Sequence, residues 1–368
     1  MGGKAGQHGY SFTPHPRCTF FHPASHRGGG TRKQESISQK EEKIMWTRRF
    51  LVSLMILVPL LAFGPSGATA ANYPNRPITL ICPWGAGGGT DAVSRIIATL
   101  LKKELGVPVN VVNRTGGSGA VGHTALATAD PDGYTIGMPT VEITMMHWVG
   151  LTQVTYKDIT PIALVNADPS GINVRADSQW KTYKDLEGYV RKNPGKLKDS
   201  GTGQGGIWHL GMAGWLKAIG LSPEAIKWIP SKGAAPALQD LMAGGIDMST
   251  CSLPEAATLI EAGKVRPLAI MADERDPKFP DVPTLKEMGI NWTCAAWRGI
   301  AAPKGTPPEI VSVLEKAVAK VCQSDDYIKF MKNRGYGIKW MDSSQFAKFL
   351  AEADKSNGEV MKAAGIAK

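Results

Sequence analysis

From residue 71 onward, short apolar runs alternate with longer stretches whose apolar residues recur every three to four positions. The runs at 78–82, 107–112, 135–138, 172–174, 226–229, 246–248 and 268–271 predict strands, and amphipathic stretches starting at Thr90, Gly119, Tyr183, Ile207, Ala234, Pro254, Pro307 and Ser343 predict helices. This strand–helix rhythm predicts an α/β fold with parallel sheets covered by helices. Thr90-Asp91 precedes the spacing Val93, Ile96, Ile97, Leu100, Leu101, so Thr90 or Asp91 is expected to cap that helix. Thr306 is expected to do the same ahead of Pro307-Pro308-Glu309.

The longest apolar run lies earlier. Arg48-Arg49 is followed by apolar residues from Phe50 to Phe63 and then by Ala68-Thr69-Ala70. A basic start, a short apolar centre and a small-x-small end predict a secretory signal peptide over 45–70, cleaved after Ala70. At 14 residues the run is shorter than the ~20 apolar residues a spanning helix needs. Residues 1–44 are rich in Gly, His and Lys without apolar periodicity, and are expected to be a leader upstream of the true start.

Composition narrows the function classes. The 368 residues are 43% hydrophobic and 20% charged, a globular composition long enough for two domains. The net charge of +10 is concentrated at the front: residues 1–70 carry nine Lys/Arg and three Asp/Glu, leaving only +4 for the other 298. That density does not support a nucleic-acid surface. Cys82, Cys251, Cys294 and Cys322 follow the expected cleavage point with no C-x-x-C pair. A buried thiol is expected at Cys82, and a Cys251–Cys294 bridge would require an oxidising compartment. His123, His147 and His209 form no H-E-x-x-H, no G-x-S-x-G is present, and no metal or cofactor is expected.

Glycine carries the candidate chemistry. After the first strand comes Trp84-Gly85-Ala86-Gly87-Gly88-Gly89-Thr90-Asp91, then a helix. Glycines allow close backbone approach, and a helix start presents free N–H groups and partial positive charge, so the loop suits an anion. Valine at Gly87 or Gly88 is expected to block the ligand's approach. A second loop, Gly201-Thr202-Gly203-Gln204-Gly205-Gly206, and a third, Ser231-Lys232-Gly233-Ala234, also precede helices. Three such starts suggest one carboxylate or phosphate ligand held from several sides. His209 is expected to pack beside Gln204, and Trp84, Trp208, Trp215 and Trp297 are candidates for a pocket floor.

The competing reading is a dinucleotide-binding α/β enzyme. Gly117-x-Gly119-x-x-Gly122 follows the stretch VPVNVV, and Glu142 lies 20 residues past Gly122. Against it, only about ten residues separate Gly122 from the Pro131-Asp132-Gly133 turn, and the chain carries an export signal.

The order of YPNRPITLICPWGAGGGTD, NRTGGSGAVG, ADPDGYTIG, GTGQGGIWHL, SKGAAPALQDLMAGGID and WRGIAAPKGTPPEIV resembles the substrate-binding proteins of tripartite tricarboxylate transporters, the Bug or TctC family, along essentially the whole exported chain. The resemblance implies a two-lobed periplasmic binding protein of type II, a Venus-flytrap with a hinge between two helix-covered sheets. It would act, as a monomer and without catalysis, by closing on a small carboxylate and delivering it to one large and one small membrane subunit. It places ligand contacts at 83–91 and 201–206 with 231–234 beside them; Thr140 and Glu142, after the third strand, are further candidates from this chain's own residues. Lobe 1 is expected at 71–168 plus 296–368 and lobe 2 at 169–295. Two departures bear on the ligand: Ser231 stands where the family commonly has an aromatic residue, and Glu142 brings an acid near the cleft. An acid there would repel a simple polycarboxylate unless protonated or paired, which leaves room for an amine-bearing or cation-escorted ligand; the alternative is that Glu142 faces solvent at a helix start, where acids are favoured.

Overall fold

A computed structural model describes residues 72–368; the expected leader and signal peptide lie outside the described residues. The strands are β1 Ile78–Cys82, β2 Val109–Asn113, β3 Thr135–Gly137, β4 Ile159–Arg175, β5 Leu197–Ser200, β6 Ile226–Trp228, β7 Met248–Ser252, β8 Val265–Ile270, β9 Ala295–Pro303 and β10 Ile338–Met341. The helices are α1 Gly89–Leu105, α2 Ala120–Ala127, α3 Tyr183–Lys192, α4 Ile207–Ala218, α5 Ala234–Ala243, α6 Leu253–Glu261, α7 Pro308–Gln323, α8 Asp325–Arg334 and α9 Ser343–Ala363.

The strand order β2-β1-β3-β9-β4-β7-β5-β6 has a parallel trio at each end. Between them β9 and β4 run antiparallel to each other, with β8 and β10 also on β4. The β4 strand belongs to both halves: Ile159–Pro169 pairs with β9, whereas Ser170–Val174 pairs with β7. The rhythm of apolar runs finds all three strands of the first trio, and β6 and the start of β7 in the second, but it misses β5, whose sequence LKDS is mostly polar. It also misses β9 and underestimates β4, because a crossing strand buried on both faces shows no alternation, and it misses β10, a short, mostly exposed strand.

One apolar cluster lies within the first half, and a second fills the other half and continues into the first through Ile81, Leu126 and Phe346. Ile78, Leu80, Ile97, Leu101, Leu314 and Val318 pack together around β1, α1 and α7, and Leu197, Leu210, Trp215, Leu241 and Met248 fill the other half. The α4 helix is apolar all round, with Ile207 to Leu216 buried throughout, as suits a helix enclosed within the fold. Trp215 belongs to this core rather than to a pocket; its Nε1–H donates to the Tyr183 hydroxyl at 2.9 Å.

Helix ends divide into two kinds. At α3, α8 and α9 a side chain caps the first turn: Thr182, Ser324 and Asp342 accept from the amides of Asp185, Tyr327 and Gln345. At α1, α4 and α5 the cap positions are Gly88, Gly206 and Gly233, which have no side chain to offer. The expected Thr90 cap is therefore corrected, since Thr90 sits inside the first turn. Thr306 likewise turns its hydroxyl onto Pro303 O at 2.8 Å, and Pro307 occupies the cap position of α7. Cys251 and Cys294 are buried free thiols, so the bridge considered for them is absent from the structure.

Candidate functional site

The uncapped starts of α1, α4 and α5 follow the carboxyl ends of β1, β5 and β6, and α6 starts directly after β7. Ligands of open α/β sheets gather at these strand ends. A cavity of about 30 Å³ lies there, enough for a single water, between residues of both halves. Trp84, Thr90, Thr140 and Glu142 contribute from one side, and Thr202, Ile207, Trp208, Gly233, Ala234 and Glu255 from the other. Ala296, Trp297 and Arg298 of the crossing strand complete the lining.

Nine of the residues expected from sequence thus reach the cavity: Trp84, Thr90, Thr140, Glu142, Thr202, Gly233 and Ala234, together with the floor candidates Trp208 and Trp297. Several of the others have different work. The Gly87 amide donates to Asp91 Oδ2 at 3.0 Å, and Asp91 also accepts from Asn113 Nδ2 at 2.9 Å and Arg95 Nε at 2.9 Å. Burial alone would raise the Asp91 pKa, but these donors hold it below its usual value. The Gly205 amide donates to His209 Nδ1 and the Gly206 amide to Gly203 O, each at 3.1 Å. Burial presses the His209 pKa down to about 4, and the ring stacks on Trp228, a packing role beside the second loop. Gln204 and the Lys232 side chain are exposed, away from the cavity. Gly85, Ala86, Gly88, Gly89, Gly201, Gly203 and Ser231 shape the surrounding loops without lining it.

Close approach explains two glycines. A Cβ on Gly89 would stand 2.7 Å from Arg298 Nη2 and 2.8 Å from Glu255 Oε1, and one on Gly203 would meet the Ser118 side chain and backbone. Ser118 Oγ in turn donates to Gln204 O at 2.8 Å, so the two halves touch through both loops. The Gly117-x-Gly119-x-x-Gly122 box is spent on packing: a Cβ on Gly122 would lie 2.5 Å from Pro83 Cα, and the helix it opens has eight residues.

Glu142 is 2% exposed, which corrects the expectation that it faces solvent at its helix start. The Trp84 indole donates to Thr140 Oγ1 at 3.1 Å, and Thr140 passes its own hydroxyl hydrogen to Glu142 Oε2 at 2.5 Å. Across the cavity, Glu142 Oε1 accepts the Ile207 amide at 3.1 Å, capping the otherwise uncapped α4. Burial raises the Glu142 pKa, and these two donors offset part of the rise.

The residues that sequence reading missed are Glu255 and Arg298. Arg298 is 2% exposed; its Nε donates to Thr90 Oγ1 at 2.9 Å, Nη1 to Asn166 and Asp168, and Nη2 to Glu255 Oε1 at 3.3 Å. Desolvation would lower its pKa, but the Asp168 and Glu255 carboxylates outweigh this and raise it. Burial raises the Glu255 pKa, partly countered by Arg298. A signal was present: an arginine inside the apolar run Ala295-Ala296-Trp297-Arg298-Gly299-Ile300 must be buried with partners.

Thr140 is held from below by His123, whose Nε2 accepts the Thr140 amide at 3.1 Å while Nδ1 donates to Gly119 O at 2.8 Å. Burial lowers the His123 pKa to about 4. The unfolded imidazole titrates near 6.5, so stability present above that pH is lost as pH falls from about 6.5 to about 4, by up to roughly 3 kcal/mol. His123→Gln, which retains an acceptor for Thr140, should lessen the fall of melting temperature with falling pH across that window, with His209 keeping its own share. Parallel curves for the two proteins would contradict the assignment.

Comparison with known proteins gives the site its context. A model of the tripartite tricarboxylate transporter family receptor, TctC, matches residues 93–366. The chain belongs to this receptor family. The receptor resembles the solved periplasmic binding protein BugD at 31% identity and a TM-score of 0.76, over 80% of this chain and 100% of BugD. It resembles MatC of Rhodopseudomonas palustris, solved with malate, at 29% identity and a TM-score of 0.73, over 78% of this chain and 99% of that one. A second R. palustris protein, solved with adipate, matches at 30% identity and a TM-score of 0.76, over 80% and 99% of the two chains. The receptor accordingly has the two-lobed α/β architecture of periplasmic binding proteins and is a solute-binding protein rather than an enzyme.

Proposed function

We propose that this receptor works in the periplasm, closing its two lobes over a small carboxylate and handing it to the large and small membrane subunits of a tripartite transporter. The observation that carries this reading is the convergence on one cavity between the halves of the α1 and α5 starts, which no side chain of their own caps, with the α4 start, already held by Glu142, beside them. Each helix start favours an anion by about 0.3–1 kcal/mol, and more when partly buried. The malate and adipate held by structurally similar proteins support a carboxylate as that anion.

The lobes are 71–168 plus 296–368 and 169–295, meeting where β4 changes partners between Pro169 and Ser170. Closure removes water from the ligand and strengthens its amide contacts. Residues 45–70 act as the signal peptide, so the exported protein starts at Ala71 and works as a monomer. N-terminal sequencing of exported protein should give Ala71; a start near Met1 would refute the signal.

The binding reading is tested by thermal shift of the exported chain against di- and tricarboxylates, amino acids and aromatic acids. A ligand at 100 times its Kd stabilises the native state by about 2.7 kcal/mol, raising Tm by about 5 °C or more. At least one acid should do so without being turned over. No shift with any acid, together with retention of a nicotinamide dinucleotide, would overturn the reading.

A further inference from the structure

The cleft's second anion position is already taken by the protein itself. The α4 start, which in a two-sided cradle would receive a ligand oxygen, holds the Glu142 carboxylate instead, at 3.1 Å from the Ile207 amide. The arrangement is built for that carboxylate: an indole N–H can only donate, so Trp84 orients the Thr140 hydroxyl hydrogen towards Glu142. Both carboxylate oxygens therefore face donors, which favour the ionised form and offset part of the rise that burial causes.

The remaining charge in the cavity gives a second carboxylate no counter-ion. Glu255 also lines the wall, and Arg298, the cation of that wall, is engaged by Glu255, Asp168, Asn166 and Thr90. Space is equally restrictive, since the 30 Å³ left beside Glu142 holds no carboxylate unless the lobes part. When they do, Glu142 stays beside the first turn of α1 on the same lobe while the Ile207 amide leaves with the other, so an entering ligand meets the α1 start and the Glu142 carboxylate together on one wall. Like charges brought together in a desolvated cleft repel, whereas an ammonium or hydroxyl gains a charge-assisted hydrogen bond.

Resting on the carboxylate-receptor reading, we propose that Glu142 sets the ligand class. The receptor takes compounds with one carboxylate, held at the α1 start, and a far end that donates a hydrogen bond to Glu142, an amine or hydroxyl, in preference to dicarboxylates of the same length. Glu142 is thus a specificity-determining residue, excluding a second anion by occupying its place.

The test is calorimetric titration of the exported wild-type chain and E142Q with length-matched C3 to C6 series: dicarboxylates, ω-amino acids, ω-hydroxy acids and simple monocarboxylates. Wild type should bind its best amino or hydroxy acid at least tenfold more tightly than the matching dicarboxylate. In E142Q, whose amide keeps the shape and removes the charge, that ratio should fall at least tenfold, about 1.4 kcal/mol. A wild-type preference for the dicarboxylate, or a ratio unchanged in folded E142Q, overturns the proposal while leaving the receptor reading intact. Binding of no member by either protein overturns the receptor reading, and this proposal with it. Should E142Q fail to fold, the wild-type ratio alone decides between the outcomes.

Discussion

Arg298→Met should cost about 3–5 kcal/mol of folding stability at pH 7, among the largest losses available to one substitution in this chain. Methionine fills much of the arginine's volume but leaves the Asp168 and Glu255 carboxylates facing each other without their shared cation, in a region where both are almost fully buried. The deficit should shrink as pH falls, because protonation relieves an orphaned carboxylate and burial already raises the Glu255 pKa. Denaturant unfolding at pH 7 and pH 5 measures both parts. A loss below about 1 kcal/mol at pH 7, comparable to an exposed ion pair, would show that Arg298 does not hold the crossing strand to α6.

Gly89→Ala should reduce affinity for the receptor's best carboxylate at least tenfold while Gly88→Ala leaves it within about threefold, a contrast of at least roughly 0.7 kcal/mol. The two glycines are neighbours in sequence but not in surroundings. A Cβ at Gly88 would meet only Gly85 O, at an ordinary 3.5 Å, whereas one at Gly89 would push between Arg298 and Glu255 at under 3 Å. Glu255 is carried by α6 on the opposite side of the cleft, so making room at Gly89 displaces the contact that joins the halves. Gly87, expected from sequence to be a blocking position, has open space around its missing Cβ and is demanding through its φ of +83° instead. Titration calorimetry on the two alanine variants gives the contrast directly; equal affinities would mean that lobe contact at Gly89 plays no part in ligand capture.

Much of this site was legible in the sequence because helix starts and glycine clusters are local features. The order of β1, Gly85–Thr90 and α1 follows from an apolar run, a glycine cluster and a 3.6-residue period, and the structure places α1 within one residue of the expected start. The three glycine loops do converge, through Trp84, Thr90, Thr202, Gly233 and Ala234. What sequence could not supply was the long-range pairing. Glu142 and Ile207 are 65 residues apart, and Arg298 and Thr90 are 208 apart, so neither contact leaves a periodic trace. The direction of individual amides was equally hidden: Gly87, Gly205 and Gly206 look available in sequence, yet Asp91, His209 and Gly203 already accept from them.

The central claim, that first-turn backbone amides grip the carboxylate between the closed lobes, is most directly tested by a crystal structure of the exported chain with its tightest acid. A carboxylate oxygen should lie about 2.7–3.2 Å from the Gly89 or Thr90 amide nitrogen at the α1 start. A ligand seated elsewhere, or one held in the cleft with those amides pointing away from it, would contradict the account.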